Sequence, residues 1–236
     1  MEKQKRDGAL DAIEWRILKN LLLLVFAYAL GVMMSIGMQK LDVMSYSAKT
    51  AYKNKVAITF DDGPNPEYTV ELLEGLQKRG VKATFFVLGE EVERYPDILK
   101  AAYDDGHLIG VHSYQHVNFG QIGDAAALEQ VEKTRQAIYD VTGEYTGYIR
   151  PPYGCWKKEL DQELPMIEVL WDIDPLDWAT KDADTVVKRV LQKCPDGSII
   201  LLHDASESSV CAAFTIIDTL QKQGYEFVTV EELMLE

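Results

Sequence analysis

An α/β protein assembled from parallel βαβ units is what this sequence predicts, and three observations predict it. After residue 54, seven short apolar runs alternate with amphipathic stretches of helical length. Several of those stretches close on a glycine (Gly80, Gly106, Gly143, Gly224), where a helix C-cap takes positive φ. Clusters of titratable residues fall at the ends of the apolar runs, the edge of a parallel sheet where active sites are built. Such alternation gives a barrel or an open doubly wound sheet. The 236 residues suffice for one sizeable core of that type or for two small domains.

The chain begins outside this pattern. Residues 1–20 form a polar tail with Lys3, Lys5, Arg6, Arg16 and Lys19. From Leu21 to Met38, "LLLLVFAYALGVMMSIGM", eighteen residues carry no charge, about enough to cross a hydrocarbon core as a helix. A signal-peptide apolar region is usually shorter and ends at a small-x-small site, and only Ser35–Ile36–Gly37 resembles one. The expectation is an uncleaved transmembrane anchor, with a cleaved signal and secretion as the alternative. Lysines flank both sides, so the positive-inside bias is weak; a cytoplasmic tail with the large domain outside is the reading carried forward. Residues 39–54 read as a polar linker.

The domain then runs over 55–236. Its strand-like runs are Lys55–Phe60, Lys82–Leu88, His107–His112, Gly147–Arg150, Ile167–Asp172, Ser198–His203 and Glu226–Thr229. Between them lie the helix-like stretches Glu67–Arg79, Glu91–Tyr103, Ala125–Val141, Asp184–Gln192 and Ser209–Gln223. A formal charge of −14 excludes nucleic acid as a partner, because its phosphates demand a basic face. Cys155, Cys194 and Cys211 show no CxxC spacing, and an odd count gives no disulfide framework. Three unpaired thiols are expected, with a Cys194–Cys211 bridge as the alternative.

On this map Asp61 and Asp62 follow the first run, in "TFDDGP". His112 ends the third, with His116 four residues on. Arg150 ends the fourth; Asp172, Asp174 and Asp177 follow the fifth; His203 and Asp204 end the sixth. If Ser113–Val117 makes one helical turn, the two imidazoles of the HxxxH face the same way. Asp61 or Asp62 completes a two-histidine, one-carboxylate set of the kind that holds catalytic zinc. Metal binding lowers the pKa of a water to about 7. Adjacent aspartates then divide the work, one binding the ion and one acting as general base. Arg150 is the candidate for keeping that base ionised and oriented. His203 is the candidate general acid, its protonated form favoured by a carboxylate from "DIDPLDW", Asp174 or Asp177. His107 begins its run and reads as structural. The combination suits hydrolysis of an amide or ester.

In order, "TFDDGP", "HSYQH", "RPPYG", "DPLDW" and "LLHD" resemble the five motifs of NodB-homology polysaccharide deacetylases, carbohydrate esterase family 4, over about residues 53–232. The resemblance implies a distorted (β/α)7 barrel and metal-dependent removal of acetyl groups from N-acetylated sugars. It implies Asp61 as catalytic base; Asp62, His112 and His116 as metal ligands; and Arg150 as the residue orienting the base. It further implies His203 as acid with Asp177 as its tuning partner, the Tyr153 amide as an oxyanion donor, and Trp178 and Leu202 as the pocket for the acetyl methyl. Two imidazoles with one carboxylate suit zinc, while cobalt, manganese, nickel and iron accept similar ligands. The expected function is N-deacetylation of a cell-wall glycan, first of all peptidoglycan, by a membrane-anchored domain outside a bacterial cell. Chitin oligomers, exopolysaccharide, acetylated xylan, a non-sugar amide, or glycan binding with little catalysis are the alternatives.

Overall fold

The structure is a computed structural model that describes residues 54–235. The expected tail, the anchor over 21–38 and all of the linker except Asn54 lie outside the described residues. Among the described residues no helix is long and apolar enough to cross a membrane.

Seven parallel strands form one curled sheet: β1 (Lys55–Asp61), β2 (Thr84–Leu88), β3 (Leu108–Ser113), β4 (Tyr148–Ile149), β5 (Ile167–Glu168), β6 (Ile199–His203) and β7 (Glu226–Phe227). The order is β5-β4-β3-β2-β1-β6, and β7 pairs with the start of β1 at Lys55 and Val56. The expected barrel is a half-barrel: end strands β5 and β6 pair only indirectly, through an isolated bridge between Ile173 and Ile200. β4, β5 and β7 are two residues each, shorter than their apolar runs.

Residue parity decides what each strand shows to which side. Val56, Ile58 and Phe60 of β1, Ile109 and Val111 of β3, and Ile200 and Leu202 of β6 pack into the main core under the helices. The alternate residues face the concave side. There Ala57, Phe86, Tyr148 and Val169 make a smaller cluster, plugged from below by Val230 and Leu233. Toward the upper rim this column changes from apolar to polar, and the register sets Asp61 directly opposite His203.

The helices are α1 (Tyr68–Arg79), α2 (Gly89–Arg94), α3 (Pro96–Asp104), α4 (Asp124–Thr142), α5 (Ala183–Leu191), α6 (Glu207–Lys222) and α7 (Val230–Met234). The single stretch expected over Glu91–Tyr103 is two helices. Pro96 starts α3 at its first turn and cannot continue α2, since proline has no N–H to donate and its ring crowds the preceding turn. α7 was not expected, although "TVEE" spells its capping box: Thr229 Oγ1 accepts from the Glu232 N–H, and Glu232 accepts from the Thr229 N–H. All three cysteines are free thiols, so the Cys194–Cys211 bridge is not formed.

Candidate active site

β1 ends on Asp61, which is buried, and the chain turns at once: Asp62 has φ 78° and is followed by a cis Gly63–Pro64 peptide. The turn stays anchored, because Asp62 N–H donates to the Phe86 carbonyl and Leu88 N–H to the Gly63 carbonyl. Gly63 is required by close approach: a Cβ there would lie 2.2 Å from the carboxylate of Asp204, directly beneath. Asp204 accepts a hydrogen bond from the Thr69 hydroxyl, and burial raises its pKa to about 7.

Asp62, His112 and His116 converge. Each offers one donor atom, and these atoms lie within 4.8 Å of one another. Nε2 of His112 is 3.4 Å and Nε2 of His116 3.5 Å from Oδ1 of Asp62. Ligands about 2 Å from a tetrahedral ion stand about 3.3 Å apart, so the set fits a divalent cation. The donor chemistry agrees. Oδ1 of Asp62 is buried without a hydrogen-bond partner, an expensive state for a carboxylate oxygen that a cation would relieve. Nδ1 of His112 donates to the Arg150 carbonyl at 2.7 Å, leaving the Nε2 lone pair facing the other ligands. Burial lowers the His112 pKa against the pull of Asp61 and Asp62 and keeps the ring neutral, as a ligand must be. The helical turn expected between the histidines is absent: His112 lies next to the end of β3 and His116 sits in a loop at φ 54°, so loop geometry brings the rings together.

Beside this set Arg150 is fully buried. Its Nη1 donates to Oδ1 of Asp61 at 2.8 Å and to the Thr59 hydroxyl at 2.6 Å. Nε and Nη2 donate to the Val169 and Leu170 carbonyls, and the guanidinium lies 4.2 Å from the Phe86 ring centroid. Thr59 in turn donates to the Ile200 carbonyl on β6. Asp61 is thus held by one oxygen, leaving Oδ2 unclaimed by the arginine.

Across the rim, Nδ1 of His203 meets Oδ1 of Asp177 at 2.8 Å. Oδ2 of Asp177 accepts from the His203 N–H and the Ser209 hydroxyl. Burial alone would lower the His203 pKa; the hydrogen bond and charge of Asp177, with Asp61 and Asp62 beyond, outweigh it and raise the value to about 9. Of the two aspartates open on sequence, Asp177 is the partner, while Asp174 lines the cleft and accepts from the Leu176 N–H.

Asp61, Asp62, His112, His116 and His203 line one cleft of about 420 Å³ whose apolar wall is Trp171, Trp178 and Leu201. Trp178 stands where expected, 66% exposed. Leu202 does not: it is fully buried against the helices. The strand's period of two is the reason, since Leu201 shares the concave face with His203 and Leu202 points the other way. Parity with His203 was the signal that could have found Leu201. Trp171, Thr59 and Ser209 were also missed, for their contacts are set by tertiary packing. Tyr153 sits at φ 60° in a single 3₁₀ turn, its ring edge-on to His116 at 5.0 Å. Of the five non-glycine residues with positive φ among those described, Asp62, His116 and Tyr153 line the cleft and Leu176 adjoins Asp177 in sequence, a concentration of backbone strain typical of functional sites.

The model of the polysaccharide deacetylase family matches residues 48–168. The chain is 37% identical over 185 residues to the peptidoglycan-N-acetylglucosamine deacetylase PgdA of Listeria monocytogenes, covering 78% of this chain and 40% of that one. It is 41% identical over 178 residues to the peptidoglycan-N-acetylmuramic acid deacetylase PdaC of Bacillus subtilis, covering 75% and 38%. The chain therefore spans about two fifths of the length of these curated relatives. The solved structure of B. subtilis PdaC superposes with a TM-score of 0.75 at 40% identity, covering 77% of this chain and 90% of that one.

Proposed function

The chain belongs to the polysaccharide deacetylase family, and from that premise we propose that it hydrolyses the N-acetyl groups of peptidoglycan amino sugars. One observation carries the reading: an arginine-held carboxylate and a carboxylate-held imidazole flank a two-histidine, one-aspartate cation site in a single cleft. A binding module needs no such base and acid pair. The relatives named for peptidoglycan, with either N-acetylglucosamine or N-acetylmuramic acid, support the substrate class.

Asp62, His112 and His116 would hold the ion, zinc by the character of the ligands. When bound, it supplies Lewis-acid polarisation at the acetamide and a more acidic water. Asp61, oriented through Oδ1, takes a proton from the attacking water at Oδ2. His203 has Nδ1 committed to Asp177 and presents Nε2–H to the sugar nitrogen as general acid. Water oxygen bonds to the carbonyl carbon, the C–N bond breaks, and acetate and a free amine leave. The Tyr153 N–H, two prolines beyond the Arg150 carbonyl that His112 occupies, serves as donor to the developing oxyanion. Trp178 and Leu201 shelter the acetyl methyl. Residues 21–38 anchor the domain on the outer face of the membrane, beside that glycan; their uncharged composition supports this placement.

The test is acetate release from purified peptidoglycan by the chain, metal-depleted and zinc-restored, beside Asp61→Asn. Zinc-dependent acetate that the variant fails to release is expected. Absence of acetate under every divalent metal tried, with chitin oligomers equally inert, would overturn the reading.

A further inference from the structure

Of the three candidate ligands, Asp62 and His112 are placed by the sheet. The Asp62 turn is tied to β2 through Phe86 and Leu88, and the His112 ring donates to the Arg150 carbonyl. His116 lies beyond β3, whose last paired residue is Ser113, opposite Leu88. Its φ of 54° costs a histidine energy and persists where the surroundings hold it. The backbone groups between Ser113 and His116 have left the ladder and need partners elsewhere.

They find them on two helices. The Tyr114 carbonyl accepts from the Glu90 N–H, in the first turn of α2, at 3.2 Å. The Tyr114 and Gln115 N–H groups both donate to one atom, Oε1 of Gln130 on α4, at 3.1 and 2.9 Å. A side-chain carbonyl has two lone pairs, so one oxygen accepts both. The two donors also fix the orientation of the amide, since its flipped NH2 would face two N–H groups. Gln130 is well seated for this. Ala127, Val131 and Thr134, all buried, flank it at the three- and four-residue spacing of one helix face. A glutamine at the margin of such a stripe usually turns its head to water, whereas this one is half-buried and turns it to the loop.

We propose that Gln130 is a positioning residue for the cation site. By clamping Tyr114 and Gln115 it holds His116 in its left-handed backbone, with Nε2 turned toward Asp62. The consequence for the metal rests on the reading of Asp62, His112 and His116 as ligands. Gln115 is exposed, so water can replace the acceptor there once the glutamine oxygen is gone. Its loss therefore frees the loop to relax without unfolding the domain, and the third ligand swings away from the other two.

The experiment compares the full chain with Gln130→Met, similar in length but without the acceptor, and with Gln130→Glu, which keeps one. Zinc affinity, read by competition with a chelator, should fall about tenfold in Gln130→Met and return in Gln130→Glu. The second readout needs no metal. The His112 and His116 ring centroids stand 5.1 Å apart, so their ring protons should share an NMR cross-relaxation peak in the zinc-free parent and in Gln130→Glu, weakened in Gln130→Met. Melting temperatures of the three zinc-free chains should agree to within about 4 °C. A zinc affinity in Gln130→Met within about twofold of the parent, or an undiminished ring contact there, would overturn the proposal. So would a Gln130→Glu that restores zinc affinity without the ring contact, for that gain would come from its added charge. A parent that binds no zinc loses the cation site, while the ring contact still decides what Gln130 does.

Discussion

The two halves of the upper cleft solve the same problem with opposite materials. On the Asp61 side the proposed base is a carboxylate held by a buried cation, Arg150. On the His203 side the proposed acid is an imidazole held by a buried carboxylate, Asp177. The holders differ in how deeply they belong to the fold. Arg150 ties β1, the start of β4's exit loop and the Val169–Leu170 segment together from a fully enclosed position. Asp177 has only His203 and Ser209 as side-chain partners. Removing the first should therefore break structure and chemistry together, whereas removing the second should mainly retune a proton.

Arg150→Met is the most severe way to break that comparison. It leaves Asp61 buried without its cation, a change that costs about 3–5 kcal/mol; thermal unfolding should show a large drop in Tm, with acetate release lost. Asp177→Asn comes next. His203 would lose the hydrogen-bonded charge that does most to hold its pKa near 9, and burial would then draw it down against the weaker pull of Asp61 and Asp62. The basic limb of the pH–rate profile should move to lower pH, with turnover at neutral pH down about 10²-fold. The sign for stability follows too. The folded His203 pKa lies above the unfolded one, so the pair's contribution is full below about pH 6.5 and is lost as pH rises through about 9. Urea unfolding of the parent and Asp177→Asn at pH 6 and pH 10 should show the gap between them shrink at the higher pH.

Thr59→Val sharpens the contrast within the Asp61 side. The hydroxyl occupies one Nη1 hydrogen of Arg150, so its loss frees the arginine to claim both oxygens of Asp61. A fall of about tenfold in kcat with KM unchanged is expected, restored in Thr59→Ser. The mildest change is Ser209→Ala, which removes one of three donors to Asp177 and should cost activity only about two- to threefold, at a loss near 0.5 kcal/mol.

The same contrast explains what could be read without coordinates. Asp61, Asp62, His112, His116, Arg150, Asp177 and His203 were legible because a parallel sheet gathers the ends of its strands, and each of these residues closes or follows an apolar run. All seven strands were legible for the same reason, as alternating apolar periods. Contacts made across the sheet left little local trace. Leu201 rather than Leu202 reaches the cleft by strand parity, a half-step that a run of four apolar residues conceals. Thr59 looks like any β-branched strand residue until the Ile200 carbonyl and Arg150 are set on either side of it. The turn through "HSYQH" was misread because i, i+4 spacing suggests a helix, while His116 adopts a left-handed backbone that periodicity does not encode.

That left-handed backbone bears on how this protein would respond to selection. Asparagine, aspartate and glycine occupy such positions at little cost, tyrosine and leucine at more. A screen for thermal tolerance alone should accordingly enrich glycine or asparagine at positions 153 and 176, where the parent has Tyr153 and Leu176 at φ 60° and 57°. Each replacement would relax a turn that positions an amide or an aspartate for turnover. Lineages evolved for heat resistance should thus drift toward sturdier, slower catalysts, and the first losses should be traceable to these two turns rather than to the carboxylates and imidazoles themselves.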